Sequence, residues 1–161
     1  MTESEANKQL FEYEKGFKLG ITIIESIKSI LENAKNLEAP DYPLHFEEIE
    51  LDSVKGQLEF VFAGVRIRLE MKTGEPSDVK EHIVPLGLIR WLIVDEDKEK
   101  VVLKNRIGAY DGTIPMLESD KWYEVVIEKK QDIHHFAMKP VIFINIFECI
   151  KKAKSAPFIY V

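Results

Sequence analysis

From about Glu5 to Leu37 the apolar residues return at helical spacing. Leu10, Phe17, Ile24 and Leu31 recur every seventh position, and Tyr13, Gly20, Ile27 and Ala34 interleave with them. Leu19, Ile21, Ile23 and Ile30 widen this stripe beyond a narrow two-stranded seam, so the helix must bury more than one side. Ala39-Pro40 stops it, because proline cannot continue the hydrogen-bond ladder and restricts the residue before it. Gly16 and Gly20 lie four apart. Each weakens the helix by about 1 kcal/mol relative to alanine, and together they permit a close crossing.

Past Pro40-Asp41-Tyr42-Pro43 the period falls to two. Strands are predicted over Phe46–Val54, Leu58–Ala63 and Val65–Lys72, with Lys55-Gly56 and Gly64 as turn or bulge points. The third alternates most clearly: Val65, Ile67, Leu69 and Met71 on one face, Arg66, Arg68, Glu70 and Lys72 on the other. One covered face and one wetter face indicate an antiparallel sheet. Thr73–Pro85 reads as a long loop. Leu86–Val94, apolar on both faces except Arg90, suits a central strand. Asp95–Lys98 turns the chain into Val101–Ile107, Asp111-Gly112 is a second hairpin signal, and Trp122–Ile127 is a further strand. The run from Val141 to Phe147 is rich in strand formers. Yet Pro140 suits a first helical turn, and Lys151, Lys152 and Lys154 complement a helix C-terminus, so a helix is predicted over 139–154. The pattern is α+β: a long N-terminal helix, a mostly antiparallel sheet of about five to seven strands, and a C-terminal helix packed on the sheet. No linker or repeat divides residues 1–161, so a single domain is expected.

Composition changes this picture little. A chain of 161 residues buries roughly 70% of its unfolded surface, enough for a core. The net charge of −6 is concentrated in residues 41–100, which disfavours nucleic acid as a partner. Cys149 stands alone, so no intrachain disulfide exists and a reducing compartment is expected. The polar, acidic first twenty residues do not resemble a secretory signal, and no uncharged apolar run approaches the ~18 residues of a membrane span. A cytoplasmic protein without membrane contact is the expectation.

The sharpest short motif pairs Pro40-Asp41 with Glu70-Met71-Lys72, following a long helix. This resembles the signature of restriction-endonuclease-like nucleases. The resemblance implies a metal-dependent hydrolase in which Asp41 (or Asp52) and Glu70 hold a divalent ion and Lys72 polarises the attacking water. The chain departs from that family after Lys72, where a Pro- and Gly-containing loop leads to another strand instead of a helix. Glu70 and Lys72 equally fit the solvated face of an amphipathic strand.

Other candidates are weaker. His134 and His135 are adjacent and point apart, and with His45 and His82 they do not form a zinc-ligand pattern. Cys149 on an apolar helix face reads as a small buried hydrophobe rather than a nucleophile paired with His134. No Gly-x-Ser-x-Gly occurs, and Gly108–Gly112 reads as turn chemistry. Trp91 and Trp122 read as core or interface aromatics, or as walls of a ligand pocket between helix and sheet. Phe158-Ile159-Tyr160-Val161 is expected to pack rather than dangle. With no reactive constellation, the sequence points to a non-catalytic interaction module without cofactor or metal. Its partner is expected to be a second copy or another protein, bound through Phe17, Gly20, Ile23, Ile24, Ile27, Ile30 and Leu31. The alternatives are the hydrolase built on Asp41, Asp52, Glu70 and Lys72, and a small-ligand binder.

Overall fold

The computed structural model describes residues 1–74, 82–125 and 138–155. Helix α1 spans Glu3–Asn33 and closes with a 3-10 turn, Ala34–Asn36. It starts on a reciprocal cap: the Thr2 hydroxyl accepts from the Glu5 backbone N–H while the Glu5 carboxylate accepts from the Thr2 N–H. Among the described residues seven strands follow: β1 (Glu47–Asp52), β2 (Gln57–Phe62), β3 (Val65–Thr73), β4 (Ile83–Asp95), β5 (Lys98–Tyr110), β6 (Ile114–Glu118) and β7 (Trp122–Glu124). Helix α2 (Lys139–Lys154) has proline in its first turn and Lys151, Lys152 and Lys154 in its last.

The strands lie in sequence order, each antiparallel to its neighbour, in one curled sheet. The α+β architecture expected from the periodicity is therefore present, with a helix at either end of the chain. Register settles which side chains share a face. Leu69 lies opposite Trp91, which lies opposite Leu103; Met71, Ile89 and Asn105 form the next row. This face carries the core together with Leu58, Phe60, Ile67 and Ile107, and both helices cover it. The buried Trp91 indole donates to Asn105 Oδ1 at 2.8 Å, and Asn145 Nδ2 of α2 donates to the same oxygen at 2.8 Å. That shared acceptor fixes where α2 sits on the sheet, because a displaced helix would strand a buried amide.

Two close approaches seat α1. A Cβ on Gly20 would come within 2.0 Å of Met71 Sδ and 3.2 Å of Ile107 Cδ1, so the absent side chain is the space into which the sheet packs. The crossing read from Gly16 and Gly20 is thus with the chain's own sheet. On β4, Pro85 faces Gly108 and Gly87 faces Ile107, which leaves Leu86 as a bulge turned toward Gly16. Gly87 has φ of +146°, and a Cβ there would stand 2.0 Å from the Lys72 carbonyl oxygen.

The expected loop over Thr73–Pro85 is shorter at both ends, since β3 runs to Thr73 and β4 begins at Ile83; residues 75–81 lie outside the described residues. Strand β6 is an addition. Pro115 argues against a strand because it offers no N–H to a ladder, yet it sits opposite Ala109, and its carbonyl accepts from Val125 N at 2.8 Å.

Candidate interaction surface

Helix α1 is buried only along its second half. From Glu3 to Lys15 no residue is buried, and the first buried position is Gly16. At 1.5 Å per residue this leaves about 20 Å of helix beyond the covered part. The stripe continues into it: Leu10 shares its helical angle with Phe17, Ile24 and Leu31, but Ile24 and Leu31 are fully buried while Leu10 is 66% exposed. Phe11, which the heptad spacing passes over, is 60% exposed. The expectation that Leu10 and Tyr13 join a continuous covered seam is corrected accordingly. Its cause is legible in the chain. Glu5, Gln9 and Glu12 occupy the angle that Gly16, Ile23 and Ile27 occupy further on, so the inward side of the first turns is polar. Those residues line an open cleft of about 480 Å³ with Lys8, Tyr13, Thr73, Gly74, Pro85 and Leu86.

The residues expected at an interface lie elsewhere. Ile23, Ile24 and Ile27 are completely buried in the chain's own core, Ile30 and Leu31 nearly so, and Gly20 is buried against Met71. Phe17 is half-buried against the same core. The second surface that the wide stripe demands is supplied by the curl of the sheet, which meets α1 from β1 round to β6. While the fold is intact, these side chains from Ile23 to Leu31 present little surface to another chain, whereas Phe17 keeps a partly exposed one.

The face of the sheet away from the helices carries a charged ladder. Arg66 donates to Glu48 at 2.6 Å and Glu59 at 3.0 Å; Arg68 donates to Glu59 at 2.9 Å and to Glu99; Arg90 donates to Glu70 at 2.6 Å. Burial alone would raise the Glu59 carboxyl, but hydrogen bonds from Arg68 and Arg66, with their charges, hold it below its ordinary value. The hydrogen bond to Glu59 raises Arg68 above its own.

Glu70, one of the hydrolase candidates, belongs to this ladder. Glu70 is buried, not solvated, and both its oxygens face guanidinium groups, Arg68 at 3.6 Å and Arg90 at 2.6 Å. Asp52 lies on the same face across Gln57, one strand removed and about 10 Å away. Its Oδ1 is spent on the Val54 and Lys55 N–H groups of the β1–β2 turn. Asp41 lies near Lys139 of α2, 3.8 Å from its Nζ, and Lys72 is exposed. Among the described residues no three His, Cys, Asp or Glu side chains converge as a metal would require.

Trp91 and Trp122 do not line one pocket. Trp91 is in the helix-covered core, whereas Trp122 lies on the opposite face under the Arg106 guanidinium, 5.7 Å from the ring centre. Cys149 is buried, and burial, with a smaller contribution from the Glu148 charge, pushes its thiol up to about 12. His45 and His82 are exposed, and His134, His135 and Phe158–Val161 lie outside the described residues. No described helix is long and apolar enough to cross a membrane. No protein-family model, curated protein or solved structure matches the chain.

Proposed function

We propose that this chain is a non-catalytic protein-interaction module that self-associates through the projecting N-terminal half of α1. The observation that carries the reading is the pair Leu10 and Phe11, large apolar side chains exposed on a helix segment that extends beyond its own core. Adjacent exposed apolar side chains on an otherwise polar helix are a feature of association surfaces. The residues that would support catalysis are engaged in other tasks, Glu70 in an ion pair and Asp52 in a turn, which favours a binding role over a hydrolytic one. The proposed surface consists of Leu10 and Phe11, in place of the buried set from Gly20 to Leu31.

Light scattering across micromolar to sub-millimolar concentrations tests this. The average mass is expected to rise above the 18.6 kDa chain value with concentration. The double variant Leu10→Ser/Phe11→Ser is expected to return it to that value with unchanged far-ultraviolet circular dichroism. A native chain at the single-chain mass throughout would overturn the reading.

A further inference from the structure

We propose that the exposed half of α1 binds a second copy of itself antiparallel, with Leu10 of each copy against Phe11 of the other. This rests on the self-association reading and adds its geometry. At 100° per residue Glu3, Asn7, Leu10, Phe11, Glu14 and Lys18 fall on one outward side of the helix, and all six are exposed. The order of charge along that side selects the orientation. Glu3 stands in the first turn, with Glu5 behind it, whereas Lys15 and Lys18 stand at the far end of the same segment. A two-fold axis passing between positions 10 and 11 sets Glu3 beside Lys18 of the second copy, and symmetry repeats the pair. Asn7 then faces Glu14. A parallel arrangement would instead bring Glu3 to Glu3 and Lys18 to Lys18. Opposed helix dipoles favour the antiparallel choice as well.

Self-complementarity of this kind is what points to a second copy rather than to an unrelated protein. One short surface carries the apolar contact and both members of its flanking ion pair, at positions a single two-fold axis matches. In the isolated chain Lys18 is 3.4 Å from Glu14, an exposed pair within the helix that offers little competition. The apolar contact is small, so the association is expected to be reversible and sensitive to salt.

Cysteine pairing reads the register directly, since Cys149 is buried and does not interfere. Asn7→Cys and Glu14→Cys proteins, mixed and air-oxidised, are expected to give the mixed disulfide in excess over either homodimer. A parallel pair would give the Asn7→Cys homodimer instead. Independently, Lys18→Glu is expected to weaken the dimer roughly tenfold, and Glu3→Lys/Lys18→Glu in one chain to restore it. A dimer that is seen by scattering but favours no mixed disulfide, or gains nothing from the charge swap, overturns this geometry while leaving self-association standing. A chain that stays at 18.6 kDa removes both.

Discussion

At the scale of single residues, burial separates two neighbours that alternation treats alike. Glu70 and Lys72 share a strand face, but Glu70 lies between Arg68 and Arg90 near the middle of the sheet, while Lys72 lies toward the end of β3 in solvent. Glu70→Ala leaves the Arg90 guanidinium, itself partly covered, without its closest acceptor. The expected loss is about 2 kcal/mol, below the cost of breaking a fully buried pair because Arg90 retains some access to water. Lys72→Ala is expected to stay within about 0.5 kcal/mol. Urea denaturation of the two variants checks the contrast, and equal small effects would mean that the ion pair contributes nothing. Nothing in the local sequence separates these two positions, because the difference arises from Arg90, twenty residues on and placed opposite Glu70 only by pairing. Cys149 shows the reverse case. Its apolar surroundings on a helix were legible, and with its thiol pushed up to about 12 it is expected to resist alkylation at neutral pH until the protein is unfolded.

At the scale of elements, the long helix and β3 were legible because their periods are unbroken over many residues, and β4 because an apolar run interrupted only by Arg90 suits a central strand. The limits of α1's coverage were less so. A heptad count gives Leu10 the same standing as Ile24, and only the polar Glu5, Gln9 and Glu12 on the inward side reveal that close packing on the sheet has ended. Strand β6 was hidden by Pro115, and the bulge at Leu86 by its position at the start of what reads as a regular strand. That bulge depends on a single backbone conformation. Gly87→Ala introduces a Cβ at φ +146°, into the Lys72 carbonyl, with β-sheet on both sides to resist relaxation. It is expected to cost at least about 2 kcal/mol, measured as a lowered urea midpoint with an unchanged slope. A midpoint within error of the native protein would show that the β3–β4 pairing shifts easily at this end.

At the scale of the whole molecule, the sheet curls so that one face holds both helices and the other holds the charged ladder. The ladder gives stability a defined pH dependence. Because the folded Glu59 carboxyl lies below its ordinary value, its contribution is present above the unfolded value and is lost as pH falls through the folded one. Glu59→Gln is therefore expected to melt lower than the native protein at neutral pH, with the gap closing on acidification; a gap independent of pH would assign the loss to something other than this charge. The curl also divides the apolar surface of α1 into a part the fold consumes and a part it leaves. A glutamate at position 23 or 30 must enter the buried apolar core, and an ionised carboxylate there is costly enough to unfold a protein of ordinary stability. Serine at positions 10 and 11 meets solvent already. Ile23→Glu and Ile30→Glu are therefore expected to abolish the cooperative melt, while Leu10→Ser/Phe11→Ser keeps it within a few degrees and changes only the mass by light scattering. If Ile23→Glu instead melted cooperatively near the native temperature as a single chain, the helix would have to bind the sheet by a different face. The separation of core from association surface along α1 would then fail together with the register built on it.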